Sequence, residues 1–283
     1  MRAASLLAGS SYVMLALLAV VIVIGGTARA DTLNWATRPT TNLLTSSDAA
    51  TVNGVTITSS GATSGTFNTR LIQIQPTSSS NGTTGFIFSQ MDAATDNGTS
   101  AQTTTISFSE PVYNLSFTVL DIDGGPSFND GTNAWNDIVD FSSDAGVPTS
   151  ATAAANVSNN ASTGRATATA NANLTDGSGN ITVTFAGPVN AITVSHIAGA
   201  VPGTNNPTNQ FVFIDDLTYA RSPRLTLTKV SNGGTGTFDF SGGTNGFGTD
   251  SITTSTSGVG VAGATKRLTS IATSTSVTET VPA

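Results

Sequence analysis

Hydrophobic and polar residues alternate in short runs along most of this chain. Residues 71–75 read L-I-Q-I-Q, and residues 104–108 read T-I-S-F with a leading threonine. The same rule governs residues 52–58, 85–89, 115–120, 138–141, 181–185, 192–196 and 211–219. Each run is rich in β-branched or aromatic residues and is bounded by Gly, Asn, Pro or Asp, which predicts strands. After residue 30 no stretch sustains apolar residues at spacings of three and four, so no helix is expected. About nine strands within about 190 residues imply a sandwich or barrel. The expected fold class is all-β, a jelly-roll-like antiparallel β-sandwich followed by a small prealbumin-like β-sandwich.

Two segments echo each other. Residues 108–117, F-S-E-P-V-Y-N-L-S-F, share a pattern with residues 185–194, F-A-G-P-V-N-A-I-T-V. Proline removes a ladder donor and fixes φ, so each Pro-Val pair is expected to mark a corner between two strands.

The N-terminus changes the picture of where the chain works. Arg2 supplies a positive charge, and residues 12–24 form an unbroken apolar run of thirteen. Gly25 and Gly26 break it, and Ala28-Arg29-Ala30 offers small residues at the positions read by a signal peptidase. The run is shorter than the ~20 residues a spanning helix needs. Residues 1–30 are therefore read as a signal peptide cleaved after Ala30, leaving no stable membrane span, and the mature chain is expected outside the cell or on its surface.

Without Arg2 and Arg29 the ten basic residues fall to eight against 17 acidic ones, a net charge of −9. Nucleic acid is thereby excluded as a partner, because phosphate binding needs clustered Lys and Arg. There is no cysteine, so no disulfide can brace the loops, and stability must come from buried strands or bound ions.

A boundary is expected near Arg221-Ser222-Pro223-Arg224, dividing residues 31–221 from residues 222–283. After it, L-T-L-T-K at residues 225–229 opens a new alternating strand, and residues 235–240 supply another.

Two resemblances follow from these residues. Residues 104–123, with I-S-F-S-E-P-V-Y-N-L-S-F-T-V-L-D-I-D, and residues 213–219, F-I-D-D-L-T-Y, resemble the jelly-roll domains of bacterial surface proteins. That likeness implies a fold related to carbohydrate-binding jelly rolls, many of which carry a structural calcium. L-T-L-T-K at residues 225–229, G-T-F-D-F at 236–240 and V-T-E-T-V-P-A at 277–283 are similar to the prealbumin-like modules, including the collagen-binding B-type, of surface adhesins and pilins. In such modules the last motif is usually followed by a glycine, an aromatic and further strands, so the module reads as truncated. Some members form a Lys–Asn or Lys–Asp isopeptide bond assisted by a Glu. Lys229 and Glu279 match the Lys and Glu positions, although a partner from a later strand is missing. Read from the residues alone, Lys229 is a solvated lysine guarding an edge strand.

Candidate chemistry concentrates between Arg70 and Arg165, a span with no basic residue and nine acidic ones. Six of these are Asp121, Asp123, Asp130, Asp137, Asp140 and Asp144. Asp121 and Asp123 fall on one side of a strand end by the two-residue period. Asn129, Asn133 and Asn136 add hard oxygens, so Asp121, Asp123, Asp130 and Asp137 are the expected ligands of a calcium ion. Trp135, in a polar loop, is a candidate for stacking on a sugar ring. Asp215-Asp216 is expected to tie the closing strand to a loop. The lone His196 sits on an apolar strand, and no Cys, G-x-S-x-G elbow or H-E-x-x-H motif occurs. No enzyme is expected. The sequence reads as an adhesion or binding protein whose partner is an extracellular glycan or surface protein. A carbohydrate-binding or carbohydrate-active accessory protein is the second reading, and an ice-binding face using Thr167 and Thr169 is the third.

Overall fold

Twenty consecutive residues, Ala101–Leu120, form the strand around which the larger part of the protein is built. The computed structural model describes residues 19–25, 30–77, 84–93, 99–124, 136–172, 177–199, 210–232, 234–242, 244–270 and 273–280. Among them there is no α-helix, only a 3-10 turn at Trp35–Thr37, and the strands pair antiparallel throughout. The chain divides into two compact units, Ala28–Ser222 and a smaller one drawn from Met1–Thr27 with Pro223–Ala283.

In the larger unit the long strand serves two sheets. Its first half lies between Val55–Ser64 and Val189–Ala198. Its second half pairs instead with Ile181–Phe185 on one side and with Leu217–Arg221 and Gln210–Ile214 on the other. From 101 to 108 the alternate residues Gln102, Thr104, Ile106 and Phe108 point inward, and beyond the bend Val112, Leu115, Phe117 and Val119 do so. The apolar ones, from Ile106 to Val119, join Ile57, Ile72, Ile87, Val139, Phe141, Val183, Ile192, Val212 and Tyr219 in one apolar core. The pattern is the expected one for sheets with one buried face.

The change of sheet occurs at the Pro-Val echo. Pro111 does not end a strand as expected; the strand runs on through it and bends where Asn114 takes φ 48°. The second copy does separate two strands, Ile181–Phe185 and Val189–Ala198. The two copies lie against each other, with Val189 opposite Val112 and the Asn114 N–H donating to the Ala186 carbonyl at 3.0 Å. Gly187 has φ 88°, and a Cβ there would come within 2.5 Å of the Val112 carbonyl oxygen. Both chains thus turn from one sheet to the other together.

Other sequence expectations shift in detail. Residues 52–58 are not one strand: Asn53-Gly54, with φ 50° and 88°, is the two-residue turn of a hairpin joining Asp48–Val52 to Val55–Ser64. The closing run 211–219 is two strands, Gln210–Ile214 and Leu217–Arg221, parted by Asp215-Asp216. Trp35 explains the break. Its backbone N–H donates to Asp216 Oδ1 at 2.9 Å and its indole N–H to the Asp215 carbonyl at 3.0 Å, with the ring fully buried. The two aspartates therefore fasten the N-terminal loop to the last strands.

The smaller unit holds two sheets. In one, Arg224–Val230 pairs with Ala19–Gly25 on one side and with Gly260–Ala262 and Lys266–Arg267. In the other, Gly236–Gly242 lies between Gly248–Thr254 and Thr278–Thr280. Leu225, Leu227, Phe240, Phe247, Ile252 and Leu268 form its core.

Candidate functional site

The long strand ends at Leu120, and the next residue, Asp121, adopts φ 66°. Ile122 is fully buried while Asp121 and Asp123 on either side of it are half-buried. Backbone bonds pin this corner: the Ile122 N–H donates to the Gly179 carbonyl at 2.8 Å, and the Asp137 N–H to the Asp123 carbonyl at 2.9 Å. Gly124 bridges to Asn136, closing the base of the segment between them. Asp130 and Trp135 lie in that segment, outside the described residues.

Burial pushes the Asp121 carboxyl up to about 7, helped by the neighbouring charges of Asp123 and Asp137. Burial, then the Asp123 charge, holds Asp137 well above the usual carboxylate range. Three carboxyls therefore crowd one end of the sandwich and disfavour each other's ionisation. Among the described residues, however, no three carboxylate or imidazole groups converge closely enough to hold a metal ion. The remaining aspartates are engaged elsewhere. Asp140 accepts two bonds of 2.7 Å from Arg165, and Asp144 accepts from Asn190 and from the Ala191 N–H.

Asp137 is the inner member of a buried relay that sequence reading missed. Its Oδ1 lies 3.1 Å from His196 Nε2, and His196 Nδ1 lies 3.2 Å from Ser89 Oγ. All three are buried, at 0%, 1% and 3% exposure. Burial lowers the imidazole to about 3, so both Asp137 and His196 are shifted toward their neutral forms. The ring thus bridges the Asp137 carboxyl and the Ser89 hydroxyl, and the Asp123 N–H donates to Asp137 Oδ2 at 3.2 Å. Each of these side chains has a hydrogen-bond partner. Ser89 is mid-strand and enclosed, so the arrangement fastens one sheet to the other and presents no nucleophile to a substrate.

The outer face of the sheet has a different chemistry. Ser60, Thr105, Thr193 and Ser142 stand opposite one another across four strands. In the next rung Ala62, Thr103, Ser195 and Asp140 align in the same way. The Thr103 and Ser195 hydroxyls are 2.8 Å apart. Hydroxyls thus repeat across the first rung at about 4.8 Å and recur at Thr103 and Ser195 of the second, about 6.6 Å along the strands. The sequence signal for this face is the S/T at every outward position of 103–107 and 193–195, visible only once the strands are paired.

In the smaller unit Lys229 Nζ lies 2.8 and 3.0 Å from the two Glu279 carboxylate oxygens and 4.2 Å from the centre of the Phe238 ring. Lys229 is only 5% exposed. It is therefore not the solvated edge lysine expected from the sequence. The pair joins Arg224–Val230 of one sheet to Thr278–Thr280 of the other. That is where the resemblance puts the Lys and Glu.

Residues 225–283 match the family model of a prealbumin-like fold domain. The match spans about a fifth of the chain. No curated protein and no solved structure matches the chain. The protein is thus all-β and antiparallel, with a prealbumin-like domain at its C-terminal end. Such a domain is consistent with a surface protein of the adhesin type and is typically a non-catalytic structural module. Among the described residues no helix is long and apolar enough to cross a membrane.

Proposed function

We propose that this protein is exported and acts as a non-catalytic binding or adhesion protein at the cell surface or outside the cell. The smaller unit serves as a stalk module, and the larger jelly-roll-like unit carries the ligand. The observation that carries this reading is the pairing of a prealbumin-like domain with a unit whose one histidine is sealed in its core. The ligand is an extracellular glycan met by the hydroxyl rungs of Ser60, Thr105, Thr193 and Ser142. Short paired hydroxyls on rigid strands can both donate to and accept from sugar hydroxyls without ordering a loop.

Calcium fits the acidic end in part. Asp137 is fully buried and held by His196 and the Asp123 N–H, and Asp121 and Asp123 are the half-exposed carboxyls of the group. In this reading those two hold the ion, with further oxygens from the segment between Gly124 and Asn136, and the cation offsets their mutual repulsion.

An ice-facing role has weaker support. Thr167 stands between Ser158 and Ile138, so the hydroxyl row is only two strands wide there, and twist keeps such a sheet from presenting a flat lattice.

A glycan array probed with the purified exported chain tests the ligand class. Binding to a restricted set of glycans, reduced at least tenfold by Thr105→Lys with Thr193→Lys, is expected. No glycan bound, or binding indifferent to the two substitutions, would count against it.

A further inference from the structure

Two glutamines are sealed inside the larger unit with their amides incompletely paired. Gln102 and Gln210 are each 1% exposed. Gln210 lies on the inward side of its strand, in step with the core residues Val212 and Ile214. Neither its amide oxygen nor its amide nitrogen has a hydrogen-bond partner among the described residues. Gln102 points inward beside His196, which stands opposite it in the sheet. Its Nε2 donates across the sandwich to the Gln90 carbonyl, while its Oε1 has no partner among the described residues. Buried side-chain amides are nearly always hydrogen-bonded, so two such groups in one place point to a ligand.

The two amides share a neighbourhood with the acidic corner. Gln90 precedes Met91, which stands opposite Gln210, so Gln102 reaches from one sheet to the part of the other where Gln210 sits. Phe213 lies opposite Leu120. Antiparallel pairing therefore sends the chain beyond Leu120, toward Asp121 and Asp123, to the end at which Gln210 begins. A run of bonds makes the second connection. Ser89, opposite Val212, meets His196, His196 meets Asp137, and Asp137 accepts from the Asp123 N–H. Asn136 Oδ1, one residue before Asp137, is a further buried oxygen without a partner among the described residues.

The unpaired atoms are mainly oxygen acceptors. Among the described residues, carboxylates and imidazoles do not by themselves assemble a metal-binding group. The charges acting on Asp121 are the like charges of Asp123 and Asp137. Amide oxygens together with carboxylates are the ligand set of a hard divalent cation of the calcium type, which takes about six to eight oxygens. A buried water would pair with an amide but would leave the carboxylate repulsion in place.

We propose that the cation is bound from inside the sandwich, with Gln102, Gln210 and Asn136 supplying amide oxygens to the ion that Asp121 and Asp123 attract. The ion then ties the start of Ala101–Leu120 to Gln210–Ile214 of the facing sheet, in a chain that has no cysteine to do so. The proposal rests on the calcium reading above and goes beyond it by making core side chains its ligands.

Calorimetric titration of the chelator-treated full chain with calcium chloride tests this. The wild type is expected to bind calcium, and Gln102→Met with Gln210→Met should weaken binding by at least about tenfold. In chelator the same variant should melt higher than the wild type, because apolar groups replace unpaired amides. Gln210→Glu keeps an oxygen in place and should bind at least as tightly as the wild type. It decides the matter even where the methionine pair fails to fold. Wild-type affinity in the methionine variant, a lower melt of that variant in chelator, or lost binding in Gln210→Glu would overturn the proposal and leave Asp121 and Asp123 as the ligands. A wild-type chain that binds no calcium would overturn the calcium reading itself.

Discussion

The Asp137 carboxyl and the His196 ring meet at 3.1 Å in the interior of the larger unit, and each is pushed toward its neutral form by burial. For His196 the folded value of about 3 lies below the ordinary 6.5. Its contribution is therefore full above pH 6.5 and is lost as pH falls toward 3. Replacing the ring by His196→Gln breaks the relay to Ser89 and is expected to cost about 2–4 kcal/mol near pH 7. Thermal melts from pH 7 to pH 4 should show the wild-type advantage shrinking with acid. An advantage that stays constant across this range would mean that the ring is charged or that the relay does not form.

Asp121 works in the opposite direction. Its folded value of about 7 lies above the ordinary 3.8, so its stabilisation is present in acid and lost as pH rises through 7. Asp121→Asn should therefore raise the melting temperature at pH 8 and leave it nearly unchanged at pH 4.

Calcium is expected to act on the same group. A ligand at 100 times its Kd stabilises the native state by about 2.7 kcal/mol. Calcium should raise the wild-type melting temperature more at pH 8 than at pH 5.5, because protons compete for Asp121. Asp121→Ala with Asp123→Ala should abolish the rise. Identical melts in calcium and chelator would remove calcium from the account.

The smaller unit offers a sharper substitution. Lys229→Ala leaves the Glu279 carboxylate buried and unpaired, which is expected to destabilise that unit by about 3–5 kcal/mol. Lys229→Met combined with Glu279→Leu should recover most of the loss, since it leaves no buried charge. Calorimetry should assign the shift to the transition of residues 223–283. A small effect of Lys229→Ala alone would mean that water reaches the pair.

The strands legible in the sequence were those with large β-branched or aromatic residues at alternate positions, such as 71–75 and 181–185. Ser150–Ala153, Val157–Asn160 and Arg165–Ala168 were not legible. Their inward residues are mostly alanine, and a T-A-T-A stretch has the composition of a loop. The Asn53-Gly54 turn was written in the sequence, but valines on both sides made it read as strand interior. At the acidic end the density of carboxylates was visible, whereas the capture of Asp137 by His196 depends on pairing Asp137 with Ala198 on the neighbouring strand, 61 residues away. The burial of Lys229 was hidden for the same reason, since Glu279 reaches it from a different sheet.

Export with removal of residues 1–30 decides where this protein acts. Mass spectrometry of the protein recovered from the extracellular and cell-surface fractions measures this directly. A mature N-terminus at Asp31 is predicted, with the Asp31–Arg221 ion pair intact. Recovery of chains beginning at Met1 in an integral-membrane fraction would contradict it.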